Sequence, residues 1–497
     1  MHKVVANLYR DSVSLMQLSA ALSKMPGVEQ ASAIMATPAN LELLREAGLM
    51  NGELAASPND LLVAVRGKSA APLQAALAAA VAALDKPPER AAGGGPTQPL
   101  PRSLQMGLAQ APQANLALIS VPGEYAAAEA MKALRLGLNV MLFSDNVSLA
   151  DEVSLKKYAR ERKLLVMGPD CGTAIVDGIP LGFANAVRRG AIGVVGASGT
   201  GTQQVTSLVH RLGAGISHAI GTGGHDLHRD VGGITMLQGL ERLARDPQTK
   251  AIVLISKPPA PEVAHAVLDA ARRAGKPVVV NFVGSSLELK DKNLFPVKTL
   301  EEAARAAVAL AAGKRPPRSV ASNKTIPRIS FKKSQRFIRG LYSGGTFCYE
   351  ATALLSNAWS NTPIDPARKL ADPWKSKEHT LVDLGDDVFT RGRPHPMIDH
   401  RLRNERLLEE AADPTVAVIL FDVVLGYGSH ADPAAEMLPA LRKARKRPIA
   451  LVASVCGTDE DPQGLERQEA VLREAGVLLA DSNARAVMLA SALVKNR

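Results

Sequence analysis

The sequence predicts a multidomain α/β protein, and three observations carry that prediction. Apolar strand-like runs alternate with helical ones, aromatics are only 3% against 46% hydrophobic residues, and two long segments repeat one order of motifs. Such alternation calls for right-handed crossovers and parallel sheets covered on both faces. With so few aromatics the cores have to be filled by Ala, Val, Leu and Ile, which suits sheets of that kind. A chain of 497 residues is too long for one ordinary core, and roughly three to four domains are expected.

Residues 1–85 read as strand, helix, strand, helix, strand, helix: VVANLY, SVSLMQLSAALSKM, VEQASAIMA, a helix through LELLREAG, DLLVAVRG and QAALAAAVAAL. This is a small ferredoxin-like or ACT-like unit. Gly and Pro then crowd AAGGGPTQPLPRS, so residues 86–113 read as a flexible linker. A unit over 114–189 follows, with strands NLALISVP, NVMLFS and LLVMGP around helices EYAAAEAMKALRLG and LADEVSLKKYARERK. It is half of a Rossmann pattern, with ligands expected at the carboxyl ends of its strands. The unit 190–313 opens with AIGVVGAS and, after a basic linker over 314–335, the unit 336–497 opens with FIRGLYSGGT. These two read as an internal repeat. Their matched turns, Asp246-Pro247 and Asp413-Pro414, each end a helix and launch an apolar strand.

Cys171, Cys348 and Cys456 lie far apart with no CxxC spacing, so neither a disulfide framework nor a zinc site is indicated, and no metal is expected. The N-terminus MHKVVANLYRDS lacks the apolar run of a signal peptide, and no stretch approaches the roughly 18–20 apolar residues of a membrane span. A cytoplasmic protein with no membrane partner is expected. The net charge of +11 invites a nucleic-acid reading, but outside 322–340 the Lys and Arg are scattered. Stacking aromatics are scarce, so nucleic acid is not expected. A basic surface attracts anionic small-molecule substrates such as phosphates or CoA.

Ser198-Gly199-Thr200-Gly201-Thr202 falls after an apolar strand and opens a helix. Glycines allow close backbone approach, hydroxyls donate, and free helix N–H groups favour a phosphoryl or carboxylate oxygen. The other reading is a Ser N-cap on a structural helix. Ser343-Gly344-Gly345-Thr346 stands at the matching place in the last unit, which points to two positive helix ends facing one anion. In Gly223-Gly224-His225-Asp226-Leu227-His228 the His and Asp side chains are candidates for general acid/base work, the glycines for substrate approach. Its counterpart brings Asp383, Asp386, Arg391 and Arg393 to a sheet edge, where arginines suit carboxylate or phosphate; a solvated ion-pair cluster is the other reading. Gly168-Pro169-Asp170 reads as a tight turn at a cofactor-binding edge.

Taken in order, VMGPDCGT, GVVGASGTGTQQV and DPQTKAIVLI resemble the α subunit of succinyl-CoA synthetase, and the last unit resembles the carboxyl-terminal domain of its β subunit. Joined in one chain behind an N-terminal unit, the arrangement is similar to the FdrA family of acyl-CoA synthetase-like proteins. The resemblance implies a half-Rossmann CoA-binding-like domain at 114–189 and two flavodoxin-like succinyl-CoA synthetase domains. It also implies a phosphorylated intermediate between the two helix starts, with Gly168, Pro169 and Asp170 on the cofactor side. In the synthetases a GHAG loop carries the phosphorylated histidine, whereas 277–304 here contains no histidine, and Ser256-Lys257-Pro258-Pro259 replaces an acidic IGEIGG segment. Lys257 then supplies charge for a bound acyl or carbamoyl phosphate. No ATP-grasp segment separates the third unit from the fourth, so ATP is used only with a partner. FdrA relatives are associated with oxamate carbamoyltransferase activity in purine and allantoin breakdown, with separate partner subunits and an oligomeric assembly. The alternatives are an ATP-dependent succinate-type acyl-CoA ligase using His225 or His228, and a non-catalytic CoA-binding scaffold.

Overall fold

The computed structural model describes residues 1–52, 54–85, 101–285, 291–317, 326–391 and 393–495. Residues 86–100 of the expected linker, 286–290 of the histidine-free stretch and 318–325 of the basic linker lie outside the described residues.

The N-terminal unit runs β1 (His2–Val5), α1 (Ser12–Ser23), β2 (Gln30–Met35), α2 (Pro38–Glu46), β3 (Leu61–Arg66), α3 (Ala70–Asp85). Its antiparallel sheet has the order β1-β3-β2, and Leu61–Val65 in the central strand are wholly buried. The alternation read from the sequence is therefore present, element for element.

The second unit contains α4 (Leu104–Gln110), β4 (Leu116–Ile119), α5 (Gly123–Arg135), β5 (Asn139–Leu142), α6 (Leu149–Glu161) and β6 (Val166–Met167), with β4, β5 and β6 parallel. Here the structure differs from the expected boundary. The hairpin β7 (Thr173–Val176) and β8 (Ile179–Gly182) lies within 114–189 but pairs antiparallel with β10 (Ile216–Gly221) of the next unit. Asp177-Gly178, both at positive φ, turn the chain back, so the hairpin extends the neighbouring sheet.

That sheet belongs to the first of two lobes. It continues with β9 (Arg189–Gly196), α7 (Gly199–Arg211), β10, α8 (Ile234–Arg245), β11 (Ala251–Ser256), α9 (Pro261–Arg272), β12 (Val278–Phe282), β13 (Leu294–Pro296) and α10 (Leu300–Ala311). The second lobe has β14 (Phe337–Tyr342), α11 (Gly345–Leu354), β15 (Trp359–Ser360), β16 (Thr380–Asp383), α12 (Asp387–Thr390), α13 (Arg401–Ala412) and β17 (Val416–Val424). It ends with α14 (Pro433–Ala444), β18 (Ala450–Cys456), α15 (Leu465–Glu474), β19 (Leu478–Ala480) and α16 (Asn483–Lys495).

The strand orders β13-β12-β11-β9-β10 and β19-β18-β17-β14-β16 coincide. Numbered within each lobe they are the flavodoxin order 2-1-3-4-5, which places a ligand crevice beside the first strand, at its carboxyl end. The duplicated Asp-Pro turns do matching work. The Asp246 carboxylate, at the C-cap of α8, accepts from Gln248 N at 3.1 Å; that of Asp413, at the C-cap of α13, accepts from Thr415 N at 2.8 Å. Each closes a short turn before a strand buried on both faces.

The lobes are joined by the segment before β9. The Asp461 carboxylate accepts from Asn185 Nδ2 and Ala186 N, both at 2.7 Å, and from Thr458 N at 2.8 Å, while Thr458 Oγ1 donates to Ala186 O. Among the described residues no helix is long and apolar enough to cross a membrane.

Candidate functional site

The carboxyl ends of the strands of three units open into one cavity of about 830 Å³, and α1, β2 and α2 of the N-terminal unit cover it through residues such as Met16, Ile34 and Asn40. The Rossmann-like unit contributes its loops after β4, β5 and β6; the lobes contribute the tips of α7 and α11.

Those two tips touch. Ser198 caps α7 with its Oγ, which accepts from Gly201 N at 3.0 Å and lies 2.5 Å from Thr346 Oγ1 on α11. The approach depends on glycine on both sides. A Cβ on Gly201 would stand 3.1 Å from Thr346 Cγ2, and one on Gly344 3.0 Å from Thr200 Cγ2. Helix N-termini carry partial positive charge, worth roughly 0.3–1 kcal/mol each to a nearby anion. Two of them in contact repel each other unless an anion lies between.

The two tips are not equivalent. At α11, Ser343 N and Oγ and Gly344 N all donate to the carboxylate of Asp422 on β17, which pairs at 3.1 Å with Arg403. Asp422 and Arg403 are wholly buried. A protein carboxylate thus occupies part of the second seat. In the first lobe Ile255 O accepts from Ala197 N at the matching place, so Gly199 and Thr200 at the α7 tip face the cavity and, among the described residues, no acid takes the place that Asp422 holds in the second lobe. Thr202 does not face it: its hydroxyl donates to Ser198 O at 2.7 Å and the residue is fully buried. It locks the turn.

Lys257, just beyond β11, extends into the cavity with its Nζ 5.4 Å from the Tyr349 ring centroid. Around it stand carboxylates. Asp170 stays open to solvent inside the cavity; crowding by the cavity walls first, then the charges of Asp145 and Asp387, push it up to about 7, with Lys257 opposing. Burial also raises Asp383 to about 6, with Lys257 again pulling it down. His395, half-buried on the same wall, is lowered to about 4 by burial, so its imidazole is neutral at pH 7.

The remaining sequence-derived candidates divide. Gly223 and Gly224 line the cavity, and Gly223, at φ +83°, passes so close to the 168–170 turn that a Cβ would meet Pro169 O at 2.2 Å. Gly168 and Pro169 shape that turn, and Asp170 projects from it into the cavity. His225 and His228 do not line it: their side chains are 70% and 53% exposed on the outer side of the loop. Asp226 is wholly buried, holding Lys156 at 2.7 Å and accepting from Thr235 N and Met236 N at the start of α8. The expected acid/base role of these three is thus corrected to two surface residues and one structural cap. Asp386 caps α12, accepting from Val388 N, and Arg391 lies 3.5 Å from Glu46 of the N-terminal unit; neither faces the cavity. Arg393 does. Cys171 is buried, and burial pushes its thiol up to about 12, which favours the protonated, unreactive form there.

His395 stands in one sequence motif with Arg391 and Arg393, but the sequence by itself assigns it no role. It follows the Asp386–Arg393 cluster, and the prolines on either side offered the only signal, a rigid turn that fixes its direction.

Family models described as CoA-ligase, CoA binding domain, and AllF, heavy metal-associated domain match residues 341–493, 187–284 and 1–99. Residues 1–99 hold no cysteine and one histidine, His2, so a paired-thiolate site for a soft metal has no ligands there. Among the described residues no group of three or more His, Cys, Asp or Glu is placed to hold a metal. Fold and matched domains together define an α/β protein assembled from CoA-binding and CoA-ligase domains. Uncharacterized protein YahF of Escherichia coli (strain K12) is 44% identical over 500 residues, covering 97% of this chain and 96% of YahF. The chain belongs to the family of YahF.

The alpha-2 subunit of mitochondrial succinate–CoA ligase (ADP-forming) from Trichomonas vaginalis is 34% identical over 153 residues, 29% of this chain and 47% of that subunit. The chain thus spans about half the length of this ligase subunit. The dinucleotide forming acetyl-coenzyme A synthetase 1 of Ca. Korarchaeum cryptofilum superposes with a TM-score of 0.33 at 16% identity, covering 76% of this chain and 82% of that one.

Proposed function

We propose that the protein transfers an acyl or carbamoyl group by way of an acyl or carbamoyl phosphate, as a subunit of a CoA-ligase-type or carbamoyltransferase enzyme of nitrogen catabolism. The observation that carries this reading is the meeting of the α7 and α11 tips beside Lys257 in one cavity. Gly199, Thr200 and Lys257 would hold the phosphoryl group, and Thr346 would close it from the other lobe. CoA is a second acceptor class, favoured by the CoA-binding match over 187–284, the first lobe rather than the expected unit 114–189. ATP would enter only with separate partner subunits, in a cytoplasmic oligomer.

Titration calorimetry of the full chain with acetyl phosphate, carbamoyl phosphate and CoA tests this. An acyl phosphate is expected to bind, and Lys257→Met to weaken it by about tenfold, equivalent to about 1.4 kcal/mol. Thr200→Val combined with Thr346→Val is expected to abolish turnover. Absence of binding by either acyl phosphate rejects the reading; tight CoA binding alone would leave a non-catalytic scaffold.

A further inference from the structure

Two glycines hold open the space around Asp383. A Cβ on Gly345 would lie 2.6 Å from Asp383 Oδ2, and one on Gly385 would lie 3.2 Å from Oδ1 and 2.9 Å from His395 Nε2. The acid and the imidazole therefore face each other across a gap that a single Cβ would fill. Asp383 is 7% exposed, and its backbone is clamped by Asn361, which accepts from Asp383 N at 2.9 Å and donates to Asp383 O at 3.0 Å. Its Oδ1 accepts from Gly385 N at 2.9 Å. Among the described residues no hydrogen bond reaches Oδ2, which opens on the cavity beside the α11 tip.

His395 is held just as firmly. Its Nδ1 accepts from Met397 N at 3.2 Å, so the single proton of the neutral ring sits on Nε2. That nitrogen has no lone pair with which to attack phosphorus. It is a hydrogen-bond donor, and a neutral imidazole in a buried site polarises a carbonyl without carrying charge. Among the described residues neither group is held in a buried ion pair, in contrast to Asp422 on β17 and Arg403 on α13.

We propose that Asp383 and His395 are the proton-handling pair of this site, Asp383 passing a proton from acceptor to departing phosphate and His395 donating to the acyl oxygen. The proposal rests on the group-transfer reading. The acceptor, an amine or thiol written X–H, gives its electron pair to the carbonyl carbon and forms the C–X bond. The C–O bond to phosphorus-bound oxygen then breaks. The proton passes from X to the Asp383 carboxylate and on to the phosphate oxygen, so acyl phosphate and X–H become acyl–X and hydrogen phosphate while Asp383 ends ionised as it began. The raised pKa of Asp383, about 6 through burial, suits a group that both accepts and returns a proton near neutrality.

The test measures phosphate release by the full chain from acetyl phosphate and carbamoyl phosphate with hydroxylamine as the X–H acceptor, above the uncatalysed rate. Sulfate affinity gives a readout of the anion seat that needs no turnover. Asp383→Asn is expected to lower kcat by about 100-fold or more without raising KM, and to bind sulfate at least as tightly as wild type because a negative charge has left the seat. His395→Gln should lower kcat in the same direction, and Asp383→Glu should restore part of the loss. A wild-type chain that is active while Asp383→Asn keeps its full kcat overturns the pair and leaves the group-transfer reading standing. Weakened sulfate binding in Asp383→Asn overturns the pair as well, since the carboxylate would then be a structural element. A wild-type chain inert toward both phosphates overturns the group-transfer reading itself and the proton role with it.

Discussion

Asp422 has its oxygens taken by the amides of Ser343 and Gly344, whereas Asp383, a strand away, keeps Oδ2 toward the cavity. The same residue type thus serves as a cap in one place and as a reactive candidate in the other, and the difference lies in which donors surround each. Asp170 belongs with Asp383. Its folded pKa, about 7, stands above the ordinary value of 3.8, because the cavity walls crowd a side chain that still meets solvent there, and then because of Asp145 and Asp387. Below the lower value both folded and unfolded chains hold the proton. Between the two only the folded chain does, so stability falls as pH rises through this window and the penalty is complete above it. Asp170→Asn is therefore expected to raise Tm at about pH 8 and to leave it nearly unchanged at about pH 4; thermal melts at both values check this, and an equal gain at both would contradict it. At this scale the sequence was least informative. The loop at Gly223–His228 presented His and Asp together, but which of them turns inward depends on Lys156 from α6, seventy residues upstream, which draws Asp226 into the interior.

Elements were far more legible. Ser198 as a helix start after an apolar strand, the paired Asp-Pro turns and the strand–helix alternation all act within a few residues, and each appears in the structure where the chain pattern put it. The hairpin β7–β8 was missed as a separate element because its partner strand, β10, lies beyond the boundary that local pattern suggests. The two helix tips also behave as elements. Gly344→Ala would place a Cβ 3.0 Å from Thr200 Cγ2 and 2.8 Å from the Phe347 ring, so the tips have to separate. A stability loss of about 1–3 kcal/mol is expected, together with weaker sulfate binding. Urea unfolding and calorimetric titration read the two effects, and unaltered sulfate affinity would mean that contact between the tips does not shape the seat.

For the whole molecule, the decisive joint is the one between lobes. Asp461, 4% exposed, accepts two bonds from the segment at Asn185-Ala186 and one from its own lobe. Asp461→Ala would leave buried donors without acceptors, at a cost of about 1–3 kcal/mol for each. It is expected to lower Tm and to weaken anion binding although residue 461 does not line the cavity; wild-type sulfate affinity in this variant would show that the lobes hold their relation without it. The N-terminal unit adds a further cross-chain contact, Tyr9 Oη donating to Ser120 O at 2.7 Å above the cavity.

By itself the sequence determined the α/β class, the duplicated lobes and the glycine- and hydroxyl-rich helix starts, because periodicity, caps and turns depend on neighbours a few positions away. Only the tertiary structure decided that the two starts touch, that Asp422 fills one of them, and that Asp383, His395 and Lys257 share the opening while His225 and His228 stay outside. Those outcomes depend on the packing of strands and helices hundreds of residues apart, which no local pattern encodes.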